Sequence, residues 1–198
     1  MHLFVGLGNP GRRYRETPHN AGFLVCDRYA DRNQLGEEAG KFQGRFRRGR
    51  VGGADVGVLK PETYMNLSGD AVAEAVRYLP LEPEEIVLVF DDMDLPQGKL
   101  RLRKAGGHGG HKGVQSVIER LGTRDFARLR VGVGRPPRGK GATGHLLSRV
   151  RREARKRFSE TVDLAVEALE MVVDEGFEAA MNRYNGMPPL GEEEESDR

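Results

Sequence analysis

The sequence has a single cysteine and no long apolar run. Cys26 therefore has no partner for an intramolecular disulfide, and its apolar neighbours indicate a core residue rather than a nucleophile. No stretch approaches the ~18 apolar residues of a membrane-spanning helix. A buried-strand pattern already begins at Leu3, so we expect no signal peptide. These absences predict a cytoplasmic protein with no membrane partner.

Internal repeats and domain linkers are also lacking in the 198 residues. That length predicts one domain that is large enough to bury a substantial core. We assign the domain to residues 1–186 and expect residues 187–198 to form an acidic, disordered tail. Residues 192–198 carry a net charge of −4 in a chain whose total is +2, which leaves +6 on the rest. A basic body favours an anionic partner without identifying it.

Short β-rich segments alternate with helical patterns along the chain. The predicted strands lie at 2–7, 42–51, 56–61, 86–90, 99–103 and 129–134. The predicted helices lie at about 21–34, between 68 and 79, after 113, from 151 onwards and up to about 184. The strands between 42 and 61 can pair antiparallel across GGAD. Four to six strands alternating with helices predict one α/β domain, in which helices flank a mixed, twisted sheet.

The stretch IVLVFDDMDLP, residues 86–96, contains the most informative strand. Its five apolar residues are rich in β-branched and aromatic types, which is typical of a strand buried on both faces. Asp91, Asp92 and Asp94 follow, and open α/β sheets bind ligands in a crevice outside their strand ends. A turn before Pro96 would explain the same acids, because Asp favours turns. The choice between site and turn depends on the rest of the chain.

Two glycine-rich loops can supply other parts of a site. GLGNPG, residues 6–11, has the G-x-G-x-x-G spacing of a dinucleotide-binding loop. We reject that interpretation because Pro10 precedes Gly11 and no helix follows directly. AGGHGGHKG, residues 105–113, permits unusual backbone angles and the close approach of a ligand. The N-terminus of the helix that follows it can receive an anion.

A basic segment, KLRLRK, lies between the acids and the second glycine loop. Lys99, Arg101 and Arg103 alternate with leucines, so a strand would put the three cations on one face. The pattern predicts a basic strip beside the acid cluster. Charged residues that protect an edge strand from aggregation are the alternative explanation.

His19, Asp91, Asn9 and Asn66 can be combined into one hydrolytic site. A neutral imidazole can take a proton from water near neutral pH, and a carboxylate on its other nitrogen fixes the tautomer and stabilises the imidazolium. Asparagine amides can orient a peptide-like substrate or donate to an oxyanion, although Asn66 could simply cap a helix. Because no serine lies in a nucleophile-elbow pattern, these residues predict a hydrolase of esters or amides in which water attacks directly.

A metal-dependent phosphohydrolase is the first alternative. Its ligands would be Asp91, Asp92, Asp94, His108 and His111. The spacing of the acids lacks the full calcium-loop pattern, and neither histidine lies in a helical zinc signature. We therefore expect no metal ion and no other cofactor.

Six motifs, in this order, resemble those of bacterial peptidyl-tRNA hydrolases: GLGNPG, TPHNAGF, ETYMNLSG, DDMDLPQG, GGHGGHKG and LRVGVGRP. The similarity runs from about Leu3 to Leu147, and the C-terminal helix is compatible with it. The resemblance implies one α/β domain with a mixed sheet. It implies hydrolysis of the ester that joins a peptide to the terminal ribose of tRNA, which recycles the tRNA. It also implies a monomer that binds the acceptor end of peptidyl-tRNA and needs no protein partner.

The resemblance also assigns roles to residues of this sequence. The family's catalytic base falls on His19 and its carboxylate partner on Asp91. The substrate-binding positions fall on Asn9, Tyr14, Tyr64, Met65, Asn66, His111 and Lys112. The cations that hold the terminal phosphate of tRNA fall on Arg103 and Arg130.

Three positions depart from the family's pattern. Lys112 stands where the family commonly has Asn, and an ammonium group cannot accept a hydrogen bond, so its role is open and phosphate binding is one possibility. Phe90 and Asp92 stand where His and Glu are often found, and we give neither a catalytic role. The second alternative is therefore an RNA-binding protein on the same fold that no longer hydrolyses. Retention of the histidine, aspartate and two asparagines of the site argues against it.

Overall fold

The helices and strands are described by a computed structural model that covers residues 1–14, 17–135 and 152–191, with side chains from residue 155 in the last range. The strands are β1 (His2–Gly6), β2 (Ala39–Lys41), β3 (Gly44–Val51), β4 (Ala54–Pro61), β5 (Ile86–Asp92), β6 (Leu100–Arg103) and β7 (Ala127–Gly132). The helices in these ranges are α1 (Ala21–Arg32), α2 (Ser68–Tyr78), α3 (Lys112–Leu121), α4 (Arg152–Asp174) and α5 (Phe177–Gly186). None of them is both long and apolar enough to cross a membrane.

The seven strands form one mixed sheet in the order β2-β3-β4-β1-β5-β7-β6. β1 runs parallel to β4 and β5, and β5 runs parallel to β7. β2, β3 and β4 form an antiparallel meander at one edge, and β6 pairs antiparallel with β7 at the other. The predicted α/β fold with a mixed sheet is confirmed. Because β4, β1, β5 and β7 are mutually parallel, the loops that follow them leave the same edge of the sheet.

Two apolar cores lie on opposite faces of the sheet, because successive side chains of a strand point to opposite sides. Phe4 of β1 packs in one core with residues of α1, α4 and α5. Leu3 and Val5 pack in the other core with residues of α2 and α3. β5 is buried along its whole length, as the sequence predicted for a strand covered on both faces.

The structure differs from the prediction at one edge of the sheet. β2 is a seventh strand, one more than the predicted maximum, and its sequence AGK carries no β-rich pattern. Phe42 and Gln43 have positive φ angles of 54° and 49°, so they turn the chain before β3 instead of beginning it. The predicted antiparallel pairing of β3 with β4 is confirmed, and Gly52 and Gly53, both with positive φ, join them.

The C-terminal residues that the structure describes run back along the domain. The backbone N–H of Leu190 donates to the carbonyl of Gly98 at 3.2 Å, and the Lys99 ammonium donates to the carbonyls of Asn185 and Met187. The acidic residues 192–198 lie outside the described residues. The domain boundary at 186 and the disordered tail therefore remain predictions.

Candidate active site

The loops after β1, β4 and β5 meet at a cleft of about 930 Å³. Its other walls are the glycine loop, defined as residues 105–110, and the start of α3. The following predicted site residues line it: Asn9, His19, Tyr64, Met65, Asn66, Asp91, Arg103, His111, Lys112 and Arg130. Tyr14 is not part of the described lining; it ends a 3-10 turn, Arg12–Tyr14, where the Arg13 guanidinium lies 4.5 Å from its ring centre.

Asp91 holds the imidazole of His19 from the end of β5. His19 lies in the 3-10 turn Pro18–Asn20 that leads into α1, and its Nδ1 lies 2.6 Å from Asp91 Oδ1. The Asp91 side chain is 2% exposed, whereas that of His19 is 16% exposed. A carboxylate at Nδ1 favours the tautomer with the proton on that nitrogen, which leaves Nε2 as the basic nitrogen. His19 is therefore set up to accept a proton from a group in the cleft.

His111 is a second histidine on the same carboxylate oxygen. It is the N-cap of α3, where its Nδ1 accepts a hydrogen bond from the backbone N–H of Val114 at 3.3 Å. A neutral imidazole that accepts through Nδ1 carries its proton on Nε2, and this Nε2 lies 3.2 Å from Asp91 Oδ1. Asp91 Oδ1 thus accepts from both histidines, and the helix cap determines which nitrogen of His111 donates.

The charge of Asp91 is stabilised despite its burial. Burial alone would raise the pKa of this carboxyl group. The hydrogen bonds from His111 and His19, together with the attraction of both rings, outweigh burial and hold the pKa of Asp91 well below its usual range. Asp91 is therefore an ionised partner for His19 throughout the physiological pH range.

Asn9 presents the NH₂ end of its amide to the cleft. Its Oδ1 accepts the backbone N–H of Met65 at 3.2 Å, so Nδ2 is the end left for a ligand. The Asn20 side chain fixes the backbone of Asn9 at both groups: Asn20 Oδ1 accepts from Asn9 N at 2.8 Å, and Asn20 Nδ2 donates to Asn9 O at 3.0 Å. Asn20 is 3% exposed. It joins the loop of Asn9 to the turn of His19.

The segment after β4 forms the opposite wall. Met65 is 6% exposed, whereas Tyr64 next to it is 68% exposed at the mouth of the cleft. The N-cap of α2 is Leu67, with no side-chain cap bond, so Asn66 does not have the capping role that the sequence left open. Exposed Asn66 is available to a ligand in the cleft.

The basic strip is only partly directed at the cleft. Arg103 is exposed, lines the cleft and forms no ion pair with a described residue. Lys99 precedes β6 and bonds the last carbonyls around α5, so it leaves the predicted strip. Arg130 Nη2 lies 2.5 Å from Asp92 Oδ2, and one third of its side chain is exposed. The cleft therefore offers cations where β6 and β7 line it.

The ligand set of the metal alternative is not assembled. Asp92 pairs with Arg130, exposed Asp94 pairs with Arg135 at 2.9 Å, and His108 Nδ1 accepts from Gly110 N within its own loop. The group in the described ranges that could hold an ion is His19, Asp91 and His111, whose ligand atoms lie within 4.8 Å of one another. The 2.6 Å between His19 Nδ1 and Asp91 Oδ1 is shorter than the roughly 3.3 Å that separates ligands on one tetrahedral zinc. An ion would have to break that hydrogen bond.

The sequence analysis missed two residues that hold the site together. Asn20 is one, and its position directly after His19 in the motif TPHNAGF was the available signal. Arg128 is the other; it lines the cleft and is 2% exposed. Alternation along β7 puts Arg128 and Arg130 on one face, but no local pattern indicates that only the first is buried.

Comparisons with known proteins identify relatives of the chain. The profile of the family described as peptidyl-tRNA hydrolase matches residues 3–193. A peptidyl-tRNA hydrolase of Brevibacillus brevis is 41% identical over 187 residues, which cover 94% of this chain and 99% of the relative. That of Geobacillus thermodenitrificans is 44% identical over 185 residues, 93% of this chain and all of the relative.

The fold comparison gives the same result. The crystal structure of peptidyl-tRNA hydrolase from Acinetobacter baumannii superposes with a TM-score of 0.88 at 35% identity, and the match covers 96% of both chains. Both the profile and the relatives extend over nearly the whole chain. The chain therefore belongs to the peptidyl-tRNA hydrolase family.

Proposed function

We propose that this chain hydrolyses the ester bond between a peptide and the terminal ribose of tRNA, with His19 as the general base. The observation that carries the proposal is the 2.6 Å hydrogen bond between His19 Nδ1 and buried, ionised Asp91, which leaves Nε2 to the cleft. Among the described residues that line the cleft there is no serine, threonine or cysteine. Water is therefore the nucleophile, and no covalent intermediate is needed.

The proposed reaction begins when His19 Nε2 takes a proton from a water molecule that attacks the ester carbonyl. The imidazolium that forms is stabilised by the negative charge of Asp91. The Nδ2 group of Asn9 donates to the oxyanion, because its Oδ1 is occupied by Met65. The C–O bond to the ribose then breaks, and the imidazolium returns the proton to the ribose oxygen. An alkoxide is a far better leaving group than an amide nitrogen, so one general base suffices for an ester.

The peptide is proposed to lie along Tyr64, Met65 and Asn66. Tyr64 offers an exposed ring to an apolar side chain, and exposed Asn66 offers an amide that can bond the peptide backbone. His111, which lines the cleft, is proposed to contact the substrate and also to act through Asp91. A contact of Tyr14 with substrate stays a prediction.

The tRNA end is proposed to bind the cationic side of the cleft. Arg103 and Arg130 can grip the terminal phosphate, and guanidinium groups bind phosphate bidentately. Lys112, an exposed residue of the cleft wall, forms no ion pair with any residue in the described ranges. As the first residue of α3 it lies at the positive end of the helix dipole, where a cation is unfavourable unless an anion is near. We assign it to a phosphodiester close to the terminal ribose.

Release of labelled peptide from an N-blocked aminoacyl-tRNA tests the proposed function. Wild type should release peptide and free tRNA, and His19→Ala should lower kcat by ~10²–10⁴-fold while tRNA binding and fold are retained. A His19→Ala variant with more than half of wild-type turnover would remove His19 from the mechanism. Binding without release by the wild type would favour the non-hydrolytic RNA-binding alternative.

The role of the arginines is tested separately from the chemistry. Replacing Arg103 and Arg130 by Ala should weaken tRNA binding and flatten its dependence on salt, because fewer counterions are released. Cleavage of a peptide ester of a short CCA fragment, which lacks the terminal phosphate, should hardly change. Equal losses on both substrates would assign these arginines to the chemical step or to the fold.

Three further properties belong to the same proposal. We propose that catalysis needs no metal ion, so that turnover survives exhaustive chelation; loss of turnover that Zn²⁺ restores would contradict this. We also propose that the enzyme acts as a monomer, which the molar mass in solution under assay conditions can test. Its site of action is proposed to be the cytoplasm, where translation supplies peptidyl-tRNA.

A further inference from the structure

Arg128 carries a buried positive charge with no acidic partner. It lies in β7 in the cleft wall and is 2% exposed. No carboxylate in the described ranges lies within ion-pair distance of it, and β6 puts the like charge of Arg103 directly opposite. A buried charge is costly unless hydrogen bonds compensate it. The hydrogen bonds of Arg128 therefore indicate its role.

The guanidinium of Arg128 collects carbonyls from two chain segments. Nη1 donates to the carbonyls of Phe126 at 3.1 Å and Arg124 at 3.3 Å, both in the segment that leads into β7. Nη2 donates to the carbonyl of Gly106 at 2.5 Å, 22 residues earlier in the chain. The cation also lies 4.4 Å from the ring centre of Phe126. A planar fork of five N–H donors can make this set of bonds, whereas an ammonium group offers three donors at a single point.

The contact with Gly106 fixes the base of the glycine loop. Gly106 has φ +152°, a conformation that side chains rarely adopt, so its carbonyl direction depends on a backbone that only glycine adopts without strain. Beyond it, a Cβ atom on Gly107, Gly109 or Gly110 would meet open space, so the tip of the loop is not packed. At the far end, His111 is held by Asp91. The loop is thus anchored at both ends, and the hydrogen bond between them, from Gly110 N to His108 Nδ1, is internal to the loop.

We propose that Arg128 is a positioning residue, which fixes Gly106 and thereby keeps the glycine loop in the cleft wall ready for substrate. The proposal rests on the proposed function. Without the anchor, the loop would have more conformations in the free enzyme, and substrate binding would have to order them. KM would therefore rise. kcat would stay unchanged, because Arg128 does not touch His19 or Asp91.

The first test compares Arg128→Lys and Arg128→Met with wild type and with Arg124→Lys, a change at an exposed arginine nearby. Arg128→Lys retains the charge and loses the fork. We expect KM for N-blocked peptidyl-tRNA to rise about tenfold in both Arg128 variants, from the loss of a hydrogen bond made by a charged group. We expect kcat to stay within about twofold of wild type. Wild-type KM in Arg128→Lys would mean that the charge alone matters and would overturn the proposal.

The second test uses Gly106→Ala, which breaks the same anchor from the loop side because alanine is strained at φ +152°. If both changes release one anchor, KM of the double variant Gly106→Ala/Arg128→Lys should be no higher than that of the worse single variant. If the KM increases of the two single variants multiply in the double variant, the proposal is overturned. An Arg128→Lys variant that does not fold would also overturn it, since Arg128 would then serve folding itself.

A readout without turnover separates this proposal from the proposed function. In the ligand-free enzyme, the amide NMR signals of residues 106–110 should broaden or shift in Arg128→Lys and remain unchanged in Arg124→Lys. Failure of the wild type to release peptide would refute the proposed function and leave this measurement interpretable. Unchanged loop signals in Arg128→Lys would refute the anchor even if the enzyme is active.

Discussion

The shared oxygen of Asp91 allows the effect of Asp91→Asn on turnover to be worked out. An amide in this position can turn its oxygen or its NH₂ group toward His19. The oxygen would keep the His19 proton on Nδ1, and the NH₂ group would force the proton to Nε2 and abolish the base. Loss of the correct tautomer in such a pair costs up to about 10⁴-fold in rate.

His111 decides between these two orientations. Its Nδ1 is committed to the backbone N–H of Val114, so Nε2–H points at Asp91 Oδ1 and requires an acceptor there. A turned amide would put two donors against each other, which costs about 1–3 kcal/mol for an unsatisfied buried group. The amide oxygen should therefore stay at the Oδ1 position and preserve the His19 tautomer. Only the difference between a charged and a neutral acceptor is lost, about 1–2 kcal/mol, or roughly 5–30-fold in kcat.

The assay is single-turnover release of peptide from N-blocked aminoacyl-tRNA by four proteins: wild type, Asp91→Asn, His111→Ala and the double variant. We expect about 5–30-fold loss for Asp91→Asn, less than about tenfold for His111→Ala, and more than about 10³-fold for the double variant, in which the amide is free to turn. His108→Ala is the matched control, because His108 lies in the glycine loop next to His111 and its side chain accepts from Gly110 N, with no hydrogen bond to Asp91. A loss above 10³-fold in Asp91→Asn alone, or no added loss in the double variant, would refute the reasoning.

Three more predictions concern the same cleft. The pKa of Asp91 is held below its usual range in the folded protein, so its charged form stabilises the fold at pH values above the unfolded-state pKa of about 3.9, and this stabilisation is lost as the pH falls toward the folded-state pKa. In urea denaturation, the difference in stability between wild type and Asp91→Asn should therefore shrink from about pH 5 to pH 2. A difference that stays constant over this range would contradict the pairing of Asp91 with the histidines. Asn20→Ala should lower kcat/KM about tenfold through the loss of two hydrogen bonds to Asn9. The same change should have almost no effect on kcat/KM in a protein that already carries Asn9→Ala. If the two substitutions lower kcat/KM independently, Asn20 does not act through Asn9. Lys112→Gln should reduce the slope of log kcat/KM against log salt by about 0.7, the value for one phosphate contact on a single strand. The control Lys104→Gln changes an ammonium group that pairs with Glu178 on the surface, and it should leave the slope unchanged. An unchanged slope in Lys112→Gln would refute the assignment of Lys112 to a phosphate.

The sequence alone was sufficient for the features that depend on local pattern. Period-two alternation and apolar runs identified six of the seven strands, since burial of a strand imposes its own spacing on the side chains. The sequence analysis missed β2 because its three residues, AGK, bury little surface at the edge of the sheet and so need no alternation of apolar and polar side chains. The motifs around His19, Asp91 and Asn9 were enough to nominate a histidine base, its carboxylate and an amide, since each is a chemical requirement of ester hydrolysis.

Other features exist only because distant segments meet. The orientation of the Asn9 amide depends on Met65, which β4 brings beside the loop after β1. Lys99 shares the alternation of Arg103, yet it turns to the carbonyls around α5, since the fold offers it acceptors there. Tyr14 is not among the described residues that line the cleft, although His19, the proposed base, is only five residues further along the chain.

The sequence by itself therefore determined the α/β architecture, because it follows from spacing along the chain, and the family, which six ordered motifs indicated; it also nominated the chemical groups of the site. The tertiary structure alone decided that Asp91 Oδ1 accepts from two histidines and that Asn20 bonds the backbone of Asn9. It also decided that Arg128 is buried and bonds the carbonyl of Gly106, whereas one third of the Arg130 side chain is exposed. The reason is physical: hydrogen-bond partners and burial are set by strand order and helix packing, which bring together residues that are far apart in the sequence.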